Sequence, residues 1–176
     1  MNRHILSAIS YIHGSVEGID NKKLAHLCIT EGSRYTENPI KNRYEDRNIP
    51  SSEEWNKVFE NIQYQYMSVL KSRLELLSHW SQIHRKYEST IKHNHHYPQD
   101  SGNEIGVSGV YYVQIPKNAG KLVFEYNINQ YQTKYYPVEP IVGNFFIFPS
   151  YLNHWVTKNL GDDLRVSISF NAKEVI

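Results

Sequence analysis

Apolar residues in the first half of the chain recur at three- and four-residue steps, the period of an amphipathic helix. The longest run starts after Pro50 and continues to about Ser78. Its apolar positions are Trp55, Val58, Phe59, Ile62, Tyr66, Val69, Leu70, Leu74 and Leu77. Ser51 and Glu54 have the spacing of a capping box, so we expect one long helix to begin there.

Two shorter helices are predicted ahead of this one. The first places three apolar residues on one face before a glycine stop signal: Leu6, Ile9, Ile12 and then Gly14. The second follows Asp20, a residue type that caps helix N-termini, and its apolar positions are Leu24, Leu27 and Cys28. The first half therefore reads as mainly helical.

After Trp80 the pattern changes to short runs of β-branched and aromatic residues separated by turn signals. The predicted strands are Trp80–Tyr87, Val107–Ile115, Leu122–Tyr126, Tyr136–Glu139, Asn144–Phe148, His154–Lys158 and Leu164–Asn171. This number of strands is enough for a two-sheet sandwich or jelly roll. We expect one α+β domain over residues 1–176, in which residues 1–79 are mainly helical support and residues 80–176 form the strand core.

Composition and charge narrow the class of protein. The formal net charge is +1, with lysine and arginine scattered along the chain, so nucleic acid is not an expected partner. Cys28 is the only cysteine, which fits a reducing compartment. We find no secretory signal and no apolar stretch long enough for a membrane span, and we therefore expect a soluble, cytoplasmic protein.

Histidines are concentrated ahead of the predicted strand that begins at Val107. Residues two apart in an extended segment project to the same side, so His93 and His95 could bind one metal ion while His96 points away. His154, at the start of another strand, could complete the site. Imidazole suits iron, copper, nickel and zinc alike. Exposed loop histidines without a ligand are the alternative.

The last predicted strand has one apolar face and one polar face. Arg165, Ser167 and Ser169 share the polar face. A guanidinium group with hydroxyl groups two and four residues away is suited to bind a carboxylate through two hydrogen bonds. The strand therefore predicts a site for a small dicarboxylate, with plain solvent exposure of the polar face as the alternative.

Several short motifs in the second half carry a family resemblance. They are Ser108-Gly109-Val110-Tyr111-Tyr112-Val113, Leu122-Val123-Phe124, Gly143–His154 and Arg165–Asn171. In this order and spacing they resemble a family of 2-oxoglutarate/Fe(II)-dependent oxygenases of phages and bacteria, and they are more distantly similar to prolyl 4-hydroxylases. The resemblance extends from about Trp80 to Asn171. It implies a double-stranded β-helix, or jelly-roll, core that is buttressed by the N-terminal helices.

The same resemblance implies roles for four residues. His154 would be the distal iron ligand, and Arg165, eleven residues later, would bind the far carboxylate of 2-oxoglutarate. Ser167 completes an Arg-x-Ser pair beside it. Tyr112 falls where related hydroxylases place a tyrosine on the cosubstrate, and a tyrosine of the sandwich core is the alternative reading.

The proximal iron ligands are where this sequence departs from the wider superfamily. The usual His-x-Asp or His-x-Glu pair does not occur ahead of Tyr111. The family resembled here tends to have His-x-His-Pro, which His93 and His95 match with two residues inserted before the proline. The resemblance therefore implies a three-histidine site of His93, His95 and His154. Asp100 is an alternative ligand if its loop folds back.

Taken together, the resemblance implies Fe(II) as the metal and 2-oxoglutarate as the cosubstrate. The implied reaction is hydroxylation of a C–H bond in an unidentified substrate, a protein residue or a small metabolite, with release of succinate and CO2. Two alternatives stay open: a cupin-like metal enzyme with three histidines, and a non-catalytic, phage-associated binding protein that retained the fold. The aromatic first half could also supply a homodimer face.

Overall fold

The computed structural model describes residues 9–31, 33–34, 45–49, 52–95 and 106–175. Its strands are β1 (Ile12–Ser15), β2 (Ser33–Arg34), β3 (Glu45–Asn48), β4 (Arg73–His84), β5 (Thr90–His93), β6 (Val107–Gln114), β7 (Leu122–Asn129), β8 (Gln132–Val138), β9 (Asn144–Pro149), β10 (Asn153–Val156) and β11 (Arg165–Val175). Its helices are α1 (Asn21–His26), which continues as a π-helical turn over Leu27–Glu31, and α2 (Glu53–Leu70).

The strands form two antiparallel sheets. The larger sheet has the strand order β1-β9-β6-β11-β4-β3-β2, and the smaller one has the order β5-β10-β7-β8. From β4 onwards the chain passes back and forth between the two sheets, apart from the β7–β8 hairpin within the smaller sheet, in the manner of a jelly roll. The predicted α+β fold with a jelly-roll core is confirmed.

Helix α2 covers the outer face of the larger sheet. It begins after Ser52, whose hydroxyl accepts a hydrogen bond from the backbone N–H of Trp55 at 3.1 Å, so the cap is one residue later than predicted. Trp55, Ile62 and Phe170 belong to the buried cluster between this helix and the sheet. In the part of the chain that the structure describes, no helix combines the length and apolar character that crossing a membrane requires.

The predicted C-terminal end of the long helix was wrong. Helix α2 ends at Leu70 rather than near Ser78, because Lys71 adopts a left-handed backbone conformation with φ of 60°. Leu74 and Leu77 belong to β4, where side chains alternate between faces, and they are 1% and 39% exposed. Their helix-like spacing is therefore fortuitous.

The first short helix was also wrong, whereas the second is confirmed. Residues Ile12–Ser15 form β1, which pairs with β9 at the edge of the larger sheet. Gly14 is not a helix stop; a Cβ atom there would lie 2.8 Å from the ring of Phe145, so glycine permits close packing. Leu6 lies outside the described residues. Helix α1 begins after Asp20, whose carboxylate caps it.

The strand predictions found the main elements but not their ends. All seven predicted strands overlap observed ones, while β1, β2, β3 and β5 were not predicted. Strand β4 begins at Arg73 and crosses the boundary that was predicted between residues 79 and 80. That residues 1–176 form a single domain stays a proposal.

Candidate active site

The inner faces of the two sheets enclose a cavity. Because alternate residues of a strand face the same side, β4 and β11 each send every second side chain into this space. The residues that line it include Trp80, Gln82, His93, His95, His154 and Arg165. Both sheets therefore contribute polar side chains to a cavity that is also lined by apolar residues such as Val110 and Phe148.

Three histidine side chains meet in this cavity. His93, at the end of β5, lies directly opposite His154 of β10, and their ring centroids are 4.3 Å apart. The ring of His95 lies 5.0 Å from that of His93 and 5.3 Å from that of His154. One ligand nitrogen from each of the three lies within 4.8 Å of the other two. The structure thus brings together the three histidines that the sequence singled out.

Two of the three rings are oriented by the backbone. Nδ1 of His93 lies 2.8 Å from the carbonyl oxygen of Ile91, and Nδ1 of His154 lies 2.8 Å from that of Leu152. A carbonyl oxygen only accepts hydrogen bonds, so each Nδ1 carries the proton and each Nε2 carries the lone pair. Backbone carbonyls commonly orient metal-binding histidines in this way.

His95 is fixed by different contacts. Its backbone N–H donates to the carbonyl oxygen of Ser150 at 2.9 Å, and its ring centroid lies 5.8 Å from that of Trp80. Burial, together with the neighbouring His93, lowers the pKa of His95 to about 4 and that of His154 to about 3. Both imidazoles are therefore neutral at pH 7, the form that binds a metal.

The donor set fits a first-row transition metal ion. Imidazole nitrogens bound to one ion at about 2.1 Å are about 3–4 Å apart, so shifts of under about 1 Å would close the cluster on an ion. Within the described ranges, no aspartate or glutamate joins these histidines. The alternative ligand Asp100, and His96 with its predicted outward orientation, lie outside the described residues.

Arg165 lines the same cavity and is only 1% exposed. Its Nε donates to the carbonyl oxygen of Gly120 at 3.0 Å, and its Nη1 donates to Oγ of Ser167 at 3.1 Å. Nη1 also lies 3.4 Å from Nδ1 of His84. No carboxylate of the described residues forms an ion pair with this guanidinium. The arginine is held in place, but its charge is not neutralised by these residues.

His84 connects Arg165 to the smaller sheet. Burial, and to a lesser extent the charge of Arg165, holds the pKa of His84 well below its usual range, so the ring is neutral. Nδ1 therefore accepts from the guanidinium, and Nε2 donates to Oγ1 of Thr90 at 2.8 Å. Thr90 is the first residue of β5 and His93 is the last, so the two are about 10 Å apart along the strand. Strand β5 therefore links the surroundings of the arginine to the histidine cluster.

Ser167 and Tyr112, which were predicted to bind the cosubstrate, both lie next to Arg165. The Ser167 hydroxyl is engaged by the guanidinium, and the Tyr112 ring centroid lies 5.4 Å from Cζ of Arg165. The Tyr112 hydroxyl is buried and, apart from the neighbouring guanidinium, has no polar partner among the residues that the structure describes. Burial raises the pKa of Tyr112 to about 12, so this hydroxyl is a neutral donor at pH 7.

A model of the 2OG-Fe(II) oxygenase family matches residues 78–171, more than half of the chain. The matched segment contains the three clustered histidines and Arg165. The chain belongs to the 2OG-Fe(II) oxygenase family. Enzymes of this family use Fe(II) with 2-oxoglutarate as the cosubstrate, and the three-histidine cluster of this oxygenase can hold such a metal. No curated protein matches its sequence.

Solved structures of other oxygenases share the fold of this oxygenase at low sequence identity. A prolyl-4-hydroxylase of Pseudomonas putida is 15% identical, with a TM-score of 0.62 over 93% of this chain and 91% of that chain. The viral collagen prolyl hydroxylase of Paramecium bursaria Chlorella virus-1, in its 2OG complex, is 10% identical. Its TM-score is 0.67, over 94% of this chain and 96% of that chain. The epimerase SnoN of nogalamycin biosynthesis, in complex with Fe3+ and alpha ketoglutarate, is 13% identical. Its TM-score is 0.67, over 92% of this chain and 78% of that chain. At such identities the likeness establishes the fold alone.

Sequence reasoning missed the contribution of β4 and β5 to the site of this oxygenase. Trp80, Gln82 and His84 face the cavity from β4, and Thr90 faces it from β5. The sequence signal was weak, because polar residues occupy both faces of β4, as the neighbours Ser81 and Gln82 show. Without the strand pairing, nothing in the sequence indicated which of its faces turns inward.

Proposed function

We propose that this oxygenase hydroxylates a C–H bond of its substrate and converts 2-oxoglutarate to succinate and CO2. The observation that carries the proposal is a three-histidine cluster in one cavity with a buried arginine that no described carboxylate neutralises. An uncompensated buried charge is costly, and an anion that enters the cavity would compensate it. A dicarboxylate that reaches from the arginine to a metal meets both requirements.

His93, His95 and His154 are the residues that would hold the iron. When bound, the iron supplies the redox chemistry that couples dioxygen to oxidation of cosubstrate and substrate. The contribution of the chain is to present neutral imidazoles whose orientation is set before the metal arrives. The carbonyl oxygens of Ile91 and Leu152 do this for two of the rings.

Arg165 and Tyr112 would bind the far carboxylate of 2-oxoglutarate. Nε and Nη1 of the arginine are engaged by Gly120, Ser167 and His84, none of which is a carboxylate, so its charge remains available to an anion. The unpaired Tyr112 hydroxyl lies beside the same guanidinium and supplies a further donor. Ser167 then acts on the arginine rather than on the cosubstrate.

The cupin-like alternative is less consistent with these residues. A three-histidine metal site alone would not require a buried arginine in the same cavity. Arg165 and the residues that support it lie on four strands, β4, β5, β6 and β11. For the substrate we propose a protein residue or a small metabolite, since a near-neutral chain has no basic face for nucleic acid. Cys28 is buried and unpaired, which is compatible with the cytoplasmic location that we propose.

Turnover of the cosubstrate tests the proposed function. Purified protein is incubated with Fe(II), ascorbate and 2-oxoglutarate in air, and succinate is measured by mass spectrometry. We expect succinate formation that requires both Fe(II) and dioxygen, is lost in His154→Ala and persists in His26→Ala, which changes an exposed histidine of α1. Succinate formation that is unchanged in His154→Ala, or none above the metal-free background in the wild type, would contradict the proposal.

A further inference from the structure

Gln82 is a polar residue of the cavity wall that neither the metal site nor the arginine site uses. It lies on β4 opposite Ser167 of β11 and is 7% exposed. Its side chain lines the cavity, and its amide makes no hydrogen bond with any residue that the structure describes. Its amide is therefore available to a ligand that enters the cavity, and a hydrogen bond from it to a charged group is stronger than one between neutral groups.

The position of Gln82 lies between the two ends of the proposed cosubstrate. His84, two residues further along β4, contacts Arg165, and Trp80, two residues before, packs against His95. Alternate residues of a strand are about 6.6 Å apart on the same face. Gln82 is therefore next to both the arginine and the metal-binding histidines.

Two other polar groups of this wall are already engaged. The hydroxyl of Thr90 pairs with His84 at 2.8 Å, and the hydroxyl of Ser108 donates to Oδ1 of Asn171 at 2.8 Å. Ser169 also lines the cavity, but its hydroxyl is one bond from its Cβ atom and cannot extend far from the strand. The longer side chain of Gln82 carries its donor further into the cavity.

The chemistry of 2-oxoglutarate limits what this amide can bind. The two methylene groups in the middle of the molecule accept no hydrogen bond, and the far carboxylate is assigned to Arg165. If one oxygen of the near carboxylate is bound to the metal, its second oxygen would need a donor, because leaving it unpaired in a buried site is costly. Succinate is one carbon shorter because this carboxylate has left as CO2, and its own carboxylate at that end comes from the former keto carbon.

We propose that the amide nitrogen of Gln82 donates to the near carboxylate of 2-oxoglutarate and so makes the site prefer the cosubstrate over its product. The inference rests on the proposed function and adds a residue that discriminates between the two dicarboxylates. This hydrogen bond is lost when CO2 leaves, so succinate binds more weakly and is more readily exchanged for a new cosubstrate molecule.

Binding to the Mn(II)-loaded protein, which does not turn over, tests the assignment. Isothermal titration measures the affinities of 2-oxoglutarate and succinate for the wild type, Gln82→Met and Gln82→Leu. We expect Gln82→Met to weaken 2-oxoglutarate about tenfold and succinate less than about twofold, the effect of one hydrogen bond to a charged group. Gln82→Leu also removes the amide without adding a charge beside Arg165, so we expect the same selective loss. Gln132→Leu, an exposed change on β8, should alter neither affinity.

The outcomes separate this inference from the proposed function. Unchanged 2-oxoglutarate affinity in folded Gln82→Met, or equal weakening of both ligands, would overturn the role of Gln82. A wild type that does not bind 2-oxoglutarate at all would overturn the proposed function instead. If Gln82→Met does not fold, the ratio of the two affinities in Gln82→Leu decides instead.

Discussion

The larger sheet has one face against the helices and one face against the cavity, and strand β11 shows the contrast most clearly. Val166, Ile168 and Phe170 point to the helix side, where they join a continuous apolar cluster. Arg165 and Ser167 alternate with them and point to the cavity side. Adjacent residues of one strand therefore experience opposite environments.

The two faces contribute differently to stability. On the helix side, apolar surface is buried with few unpaired polar atoms, and burial stabilises the fold by roughly 25 cal/mol for each Å². On the cavity side, a guanidinium without a described counterion and an unpaired Tyr112 hydroxyl oppose folding. The outer face therefore stabilises the sheet, while the inner face keeps polar groups that can bind a ligand. Substitutions on the two faces should therefore separate stability from ligand binding.

The largest expected effect is on the outer face. Trp55→Ala removes a buried ring that stacks on His79 at 5.2 Å and packs near Phe170. We expect the free energy of unfolding of the ligand-free protein to fall by about 3–5 kcal/mol, as for other buried tryptophans. Urea denaturation measures it. Tyr64→Ala, on the same helix but 75% exposed, should change it by less than about 0.5 kcal/mol. Equal losses in the two variants would show that α2 does not cover the sheet as described.

The second effect is on the inner face and concerns binding. Arg165→Met removes the only cation assigned to the far carboxylate, and we expect the affinity for 2-oxoglutarate to fall about 100-fold or more. The unfolding free energy of the ligand-free protein should change by less than about 1 kcal/mol, because the relief from burying a charge offsets the hydrogen bonds lost to Gly120, Ser167 and His84. Calorimetric titration and urea denaturation give the two quantities. A stability loss comparable to that of Trp55→Ala would make Arg165 a structural residue.

Two neighbouring tyrosines provide a matched comparison across the sheet. Tyr112 faces the cavity side with an unpaired hydroxyl, whereas the Tyr111 hydroxyl donates to Oδ1 of Asn21 at 2.9 Å on the helix side. We expect Tyr112→Phe to weaken 2-oxoglutarate about tenfold and to leave the ligand-free protein as stable or slightly more stable. Tyr111→Phe should cost about 1 kcal/mol of stability without affecting binding. The reverse pattern would contradict the assignment of the two faces.

The smallest expected effect is on the pH dependence of stability and concerns His79, on the helix side of the sheet. Its Nε2 atom is buried and has no hydrogen-bond partner among the described residues. Burial lowers the pKa of His79 below its ordinary value of 6.5. As the pH falls from about 7 to about 5, the unfolded chain takes up this proton more readily than the folded protein, so His79 makes stability fall with falling pH. His79→Phe keeps the ring on Trp55 and removes this proton uptake.

Denaturation of both proteins at pH 7.5, 6 and 5 measures this contribution. The stability of His79→Phe relative to the wild type should increase as the pH falls, because the other titrating groups are common to both proteins. A difference that is constant over this range would show that His79 titrates alike in the folded and unfolded states.

The sequence predicted the centre of the site because its residues follow local rules. His93 and His95 are two positions apart in an extended segment, and Arg165 and Ser167 share one face of a strand. Each pair could be recognised from spacing alone. Their convergence with His154 came from the family resemblance, since no local rule links residues so far apart in sequence.

The rest of the site depends on strand pairing, which spacing does not encode. His84 contacts Arg165, which lies 81 residues later in the sequence. Only the register of β4 against β11 brings the two residues together. Leu74 and Leu77 fit both a helix and a strand pattern, and the left-handed backbone of Lys71 decides between them. Strand β5 is only four residues long, too short for alternation to be detected.

Formation of a ternary complex tests the central claim, that three histidines hold the metal within reach of a dicarboxylate bound by Arg165. Fe(II) and then 2-oxoglutarate are added without oxygen, and the visible absorption spectrum is recorded. We predict a charge-transfer band that requires both additions, disappears in His93→Ala, His95→Ala and His154→Ala, and is retained in Asp100→Ala and His26→Ala. A band that survives in His154→Ala, or that is lost in Asp100→Ala, would contradict the account.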